Sequence, residues 1–143
     1  MAGSKRCTIR GQVFDSLAEA GYYTELLDRE QKGEISEIIL QPSWRLEAWG
    51  QEEQAPVDIG KYTADFSYYD RVTNKTMVID IKGQVPKTIV MKNGRKKRVS
   101  GGKGWTAFRM RCKILEANYG VVVEVIEGKE YTILARLAGA REI

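Results

Sequence analysis

Two acids and a lysine stand in runs that read as strands. "YTADFSYYD" (62–70) and "KTMVIDIKG" (75–83) are rich in aromatic and β-branched residues, and "DRVTN" between them predicts a hairpin. Each run carries an acid in an apolar setting, Asp65 and Asp80, and Lys82 follows the second. Alternation puts Val78, Asp80 and Lys82 on one face and Met77, Ile79 and Ile81 on the other. In the first strand Thr63, Asp65 and Ser67 share a face, opposite Ala64, Phe66 and Tyr68. Antiparallel pairing can then bring Asp65 and Asp80 together across the ladder. Two carboxylates, with the backbone carbonyl of Ile81 beside them, offer the hard oxygen donors that suit Mg²⁺ or Mn²⁺. Such an ion would neutralise and polarise a phosphate and lower the pKa of a bound water. Lys82 could orient that water or stabilise charge in the transition state. A role as general base would require a depressed pKa. A D-x-K taken alone is very common and reads first as an ordinary solvent-facing ion pair. The upstream Asp65, the glycine at 83 and the basic block that follows favour the chemical reading.

Histidine is absent from the 143 residues. That removes Ser-His-Asp and Cys-His nucleophiles, histidine-ligated zinc and any histidine base. Cys7 and Cys112 are the only cysteines, too few for a zinc site or a disulfide framework, so a reducing compartment is expected. The length predicts a single domain spanning 1–143. At 43% hydrophobic and 29% charged, the composition is that of a soluble globular protein. No apolar run approaches a membrane span, and the basic start "MAGSKRCTIRG" lacks the apolar segment of a secretory signal. A cytoplasmic location without membrane association is expected.

Charge is distributed unevenly. Residues 84–115 hold ten basic side chains and no acid: Lys87, Lys92, Arg95, Lys96, Lys97, Arg98, Lys103, Arg109, Arg111 and Lys113. The remainder carries 13 basic against 19 acidic residues, a net −6, although the whole chain is at +4. A single-sign block in a mildly acidic chain points to a polyanionic partner, the alternative being a solvated loop and helix face. Lysines and arginines of this kind grip phosphates rather than read bases.

The elements around these residues follow from periodicity and punctuation. "FDSLAEAGYYTELLDREQKGE" predicts a first helix, with Ser16 as N-cap and Gly33 after its end. "ISEIILQPSWRLEAW" predicts one or two extended segments broken at Pro42, and "GQEEQAPVDIGK" reads as a loop. Asn93-Gly94 predicts a two-residue turn closing a small basic β-ribbon, an insertion at about 84–104 that ends in the joint "SGGKG". "WTAFRMRCKILEANYG" predicts a second helix with an apolar stripe of Phe108, Cys112 and Leu115, ended by Gly120. "VVVEVIEG" predicts a strand, and "EYTILARL" suits either a strand or a helix. Helix, strands, helix, strand is an α/β order, a mixed central sheet flanked by helices. Trp44, Trp49 and Trp105 suit either an interface or the core.

Glu19 in the first helix has two readings. It could approach a metal from below the sheet, or, with Ser16, form the S-x-x-E capping box that only ties up the helix start.

"YTADF" followed by "VIDIKG", with a helical glutamate upstream, resembles the core of the PD-(D/E)xK nuclease superfamily, and small phage-type Holliday-junction resolvases and endonucleases within it. The resemblance covers roughly residues 12–125. It implies a restriction-endonuclease-like fold and a Mg²⁺- or Mn²⁺-dependent DNA endonuclease, most directly a structure-selective enzyme hydrolysing branched DNA such as a four-way junction. Less selective nicking or restriction-like cleavage, and a non-catalytic nucleic-acid-binding module, are the alternatives. The family's acids map to Glu19, Asp65 and Asp80, its lysine to Lys82, and Ile81 would lend its backbone carbonyl to the metal. Thr106 and Arg109 occupy the helix region where related proteins hold DNA. The resolvases act as homodimers, and a phage-encoded member would work in the host cytoplasm. The family's name-giving proline is Ala64 here.

Overall fold

The structure, a computed structural model, describes residues 6–143; the basic start at 1–5 lies outside the described residues. Its centre is a four-stranded mixed sheet. The strands are β3 (Ile35–Leu40), β6 (Phe66–Asp70), β7 (Lys75–Lys82) and β10 (Val123–Glu127), in the order β10-β7-β6-β3. β6 pairs antiparallel with β7 and with β3, whereas β10 lies parallel to β7. The 15-residue helix α2 (Trp105–Tyr119) lies in the chain between the parallel strands, as a parallel crossover requires.

The sheet separates two cores. On one face α1 (Leu17–Gln31) and α3 (Lys129–Leu137) pack Ala20, Tyr22, Leu26 and Ala135 on Ile35, Phe66 and Ile79. On the other, α2 packs Phe108, Cys112 and Leu115 on Val78 and Val123. β7 is therefore covered on both sides, and Val78, Ile79 and Asp80 in succession are buried. A helix for "EYTILARL" resolves what periodicity leaves open. Its place against α1 is set at Gly21, where an added Cβ would lie 1.8 Å from the Tyr131 backbone oxygen. Gly21→Ala is expected to destabilise the protein by about 3 kcal/mol, because a backbone carbonyl cannot rotate away and α3 must shift. A drop in the urea midpoint at unchanged m-value would show it.

Several expectations are corrected. "GQEEQAPVDIGK" is a turn only at 51–54; the rest belongs to β5 (Ala55–Thr63), which pairs with β4 (Ser43–Gly50) in a long hairpin. Ala64 does not share a face with Phe66: it packs with α2's core, while Phe66 packs with α1's. The reason is a break in the strand at 64–65, where the chain leaves the β4–β5 hairpin to enter the sheet. Pro42 and Gln41 brace that break, with the Ala64 N–H donating to Pro42 O and the Gln41 N–H to Asp65 O, both 3.0 Å. An unforeseen small sheet joins β1 (Cys7–Ile9) and β2 (Gln12–Phe14) to β11 (Arg141–Glu142), ordered β11-β1-β2.

The basic ribbon is present as β8 (Lys87–Val90) and β9 (Lys96–Val99), paired antiparallel. Its turn is wider than two residues: the Met91 N–H donates to Arg95 O at 2.8 Å, and Gly94 takes φ +80°. Trp44 and Trp105 pack at the margin of α2's core, and Trp49 is exposed. No helix among the described residues is long and apolar enough to cross a membrane.

Candidate active site

The β6–β7 register pairs Phe66 with Ile79, so Asp65, one residue earlier, stands beside Asp80. The Asp65 N–H donates to Ile79 O at 3.1 Å, and its Oδ2 accepts from the Ile81 N–H at 2.7 Å. In a strand the N–H and C=O of one residue project toward the same neighbour. The Ile81 carbonyl therefore projects toward the Asp65 side of β7.

Asp80 is only 5% exposed, and both of its oxygens are engaged. Oδ2 accepts from the Tyr62 hydroxyl, and Oδ1 lies 3.3 Å from Lys82 Nζ. Lys82 Nζ also sits 4.1 Å over the Phe108 ring, so the ammonium is held between a carboxylate and an aromatic face. Burial, then the Asp80 carboxylate, push the Tyr62 hydroxyl above its ordinary range, which keeps it a donor. Burial first, then the charges of Asp80 and Glu19, push the Asp65 carboxyl up to about 8, against the pull of the Ile81 N–H. Two carboxyls crowded in a half-dry site cannot both ionise cheaply.

These groups open into a cleft of about 330 Å³, walled by Lys61, Tyr62, Asp65, Asp80, Lys82 and Arg111, among others. A second cleft of about 560 Å³ shares Lys82 and Phe108 with it and continues to Lys103 and Trp105. A third, of about 410 Å³, shares Trp105 and adds Arg98 and Thr106. The three form a trough along the N-terminal half of α2. Tyr62, Lys61 and Phe108 are site residues that the sequence reading missed, and Arg111 was counted in the basic block without being placed at the site. Strict alternation through "YTADF" would put Tyr62 on the face opposite Asp65; only the break at 64–65 brings both to the cleft.

Glu19 is placed differently. Ser16 caps α1, its Oγ accepting from the Glu19 N–H at 3.1 Å. Burial first, then the Asp15 charge, raise the Glu19 carboxyl above its ordinary value, against the opposing pull of Ser16 and the Asp15 backbone. It lines another cleft, of about 660 Å³, that also meets Ile81 and Gly83. The charge of Glu19 reaches Asp65 and Asp80, and the helix cap itself uses only the Glu19 backbone N–H. Among the described residues, no group of three or more acidic or cysteine side chains converges as a metal cage. Asp65 and Asp80 are two carboxylates whose crowding a divalent cation would relieve, and with the Ile81 carbonyl they fit a hard ion completed by water.

Of the basic candidates, Lys92, Arg95, Lys96, Lys97, Arg98 and Lys103 are exposed, as are Thr106 and Lys113, while Arg109 is half-buried. Lys87 pairs with Glu127 at 3.2 Å, which ties the base of the ribbon to β10.

No curated protein and no solved structure matches the chain. One family model does, over residues 2–100, a stretch that holds Glu19, Asp65, Asp80, Lys82 and the ribbon. Matched over more than half its length, the chain belongs to the family described as "Protein of unknown function (DUF1064)".

Proposed function

We propose that the chain is a divalent-metal-dependent DNA endonuclease of the PD-(D/E)xK type with a restriction-endonuclease-like core, acting on branched DNA, and on four-way junctions first. The observation that carries this reading is the meeting of Asp65, Asp80 and Lys82 at an open cleft on adjacent strands, continuous with a cationic trough. The order α1-β3-β6-β7-α2-β10 supports the fold part of the reading.

Asp65, Asp80 and the Ile81 carbonyl would hold Mg²⁺ or Mn²⁺, with Glu19 available at longer range through water. When bound, such an ion supplies Lewis-acid polarisation of the phosphate and lowers the pKa of an attacking water. The protein's own groups do the rest. The Tyr62 hydroxyl fixes one Asp80 oxygen, and Phe108 and Asp80 fix the Lys82 ammonium. Lys82 then donates to the attacking water or to a phosphate oxygen as charge builds on it. Lys61 and Arg111 flank the cleft and grip the adjoining phosphates. Lys103, Arg98 and the remaining ribbon cations extend that grip along the strand. A homodimer would set two such sites on one junction.

A non-catalytic nucleic-acid-binding module is the second reading, favoured by the exposed cations of the ribbon and by a Lys82 ammonium already held by Asp80 and Phe108. Cleavage of a labelled four-way junction and a matched linear duplex, in Mg²⁺ and in EDTA, separates the two. Symmetrical incision of the junction alone, lost in EDTA, is the expected result. Equal cutting of both DNAs would keep the nuclease and discard junction selectivity. Cutting in EDTA would sink the metal mechanism, and salt-sensitive binding with no cutting would leave the binding module.

A further inference from the structure

The ribbon carries a feature that phosphate gripping does not use. Its aliphatic residues face solvent, with Ile89 40%, Val90 70% and Met91 45% exposed. An isolated two-stranded hairpin is marginally stable in water, and exposed aliphatic side chains at its tip add cost without return unless something covers them. The cross-strand pairs show what could. Val90 lies opposite Lys96 and Thr88 opposite Arg98 on one face, and Ile89 lies opposite Lys97 and Lys87 opposite Val99 on the other. Both faces are cationic, and no acid lies on the ribbon. A membrane surface would favour cations segregated to one side. A ribbon positive on both faces suits an occupant that meets it from two walls, as the phosphate backbones on either side of a DNA groove do.

We infer that the ribbon lies in a groove of a duplex arm and that Val90 and Met91 at its tip wedge between stacked base pairs, kinking that arm. Apolar side chains inserted at a base step are a known way to bend DNA, and the contacts that the bend permits offset the unstacking. The ribbon follows Lys82 directly through 83–86, and its base is pinned to β10 by Lys87 and Glu127. A kink would therefore form close to the cleft. The inference rests on DNA being the partner, and its test does not depend on cleavage.

The full-length protein is bound, in EDTA, to a set of duplexes and four-way junctions, each with one 2-aminopurine and with end labels for energy transfer. Wild type is expected to raise 2-aminopurine fluorescence at one or two steps and to shorten the end-to-end distance. Val90→Ser with Met91→Ser should keep most of the affinity and lose both signals, and Val90→Leu should retain them. Lys96→Gln, Lys97→Gln and Arg98→Gln together should weaken binding and reduce the salt slope by about 2–3. Unchanged signals in the double-serine variant, or no unstacking by wild type, would overturn the wedge. So would binding to phosphatidylglycerol vesicles in place of duplex. A protein that kinks DNA but cuts nothing in Mg²⁺ would support the wedge and remove the nuclease reading.

Discussion

Asp80→Asn is expected to slow cleavage of a four-way junction by about 10²–10³-fold, the scale of removing one charge from a preorganised site. The substitution nearly preserves shape, and an amide oxygen can still accept from the Tyr62 hydroxyl. What goes is the negative charge that a divalent ion needs and that anchors Lys82 at 3.3 Å. DNA binding should move the other way. A buried anion next to an incoming phosphate opposes it, so removing the charge is expected to tighten junction binding severalfold at low salt. Fluorescence anisotropy in EDTA beside single-turnover cleavage in Mg²⁺ reads both quantities on one preparation. Loss of binding together with cleavage would mean that the variant is misfolded or that Asp80 is structural. Unchanged cleavage would remove Asp80 from the mechanism.

The parts of this site that were legible in the sequence are those whose signals are local. Ser16 and Gly33 bracket α1 because a cap and a left-handed glycine act within one turn of a helix. The faces of β7 could be read because it is buried on both sides and its acid interrupts an apolar run. The rest depended on partners distant in sequence. Tyr62 reaches Asp80 across 18 residues, through a hairpin whose second strand contains Pro56 and Gly60 and is mostly exposed, so neither alternation nor composition marks it as a strand. Ala64 was assigned to the wrong face because strict alternation was carried through a break that only Gln41 and Pro42 reveal. "EYTILARL" was undecidable because Tyr131, Ile133, Leu134 and Leu137 suit both periods. The decision comes from α1, where Gly21 leaves room for the Tyr131 backbone. At Glu19 the S-x-x-E signal marks the helix start through the backbone N–H bonded to Ser16 Oγ, while the charge of its carboxylate is felt at Asp65.

The crowding of Asp65 against Asp80 should be measurable as a loss of stability with rising pH. A carboxyl raised from 3.8 to about 8 binds its proton more tightly in the folded than in the unfolded chain. Its contribution to folding is therefore fully present below about pH 4 and is lost as pH rises toward 8, above which the penalty is constant. Glu19 is shifted in the same direction and adds to the slope. Urea unfolding of the wild type in EDTA should show stability falling by about 2 kcal/mol or more between pH 5 and pH 8, given about 1.4 kcal/mol for each pKa unit. Asp65→Asn keeps an acceptor for the Ile81 N–H and removes the charge, so it should flatten most of that slope. It should leave the variant more stable than wild type at pH 8, with the difference shrinking as pH falls and vanishing at about pH 4. An active variant would be inconsistent with a metal-holding role for Asp65. A variant less stable at every pH would mean that the carboxylate is a net structural asset, and that its crowding against Asp80 is already relieved by Lys82. The expected combination, a residue whose removal stabilises the fold and stops the chemistry, follows from placing two acids where only a cation can reconcile them.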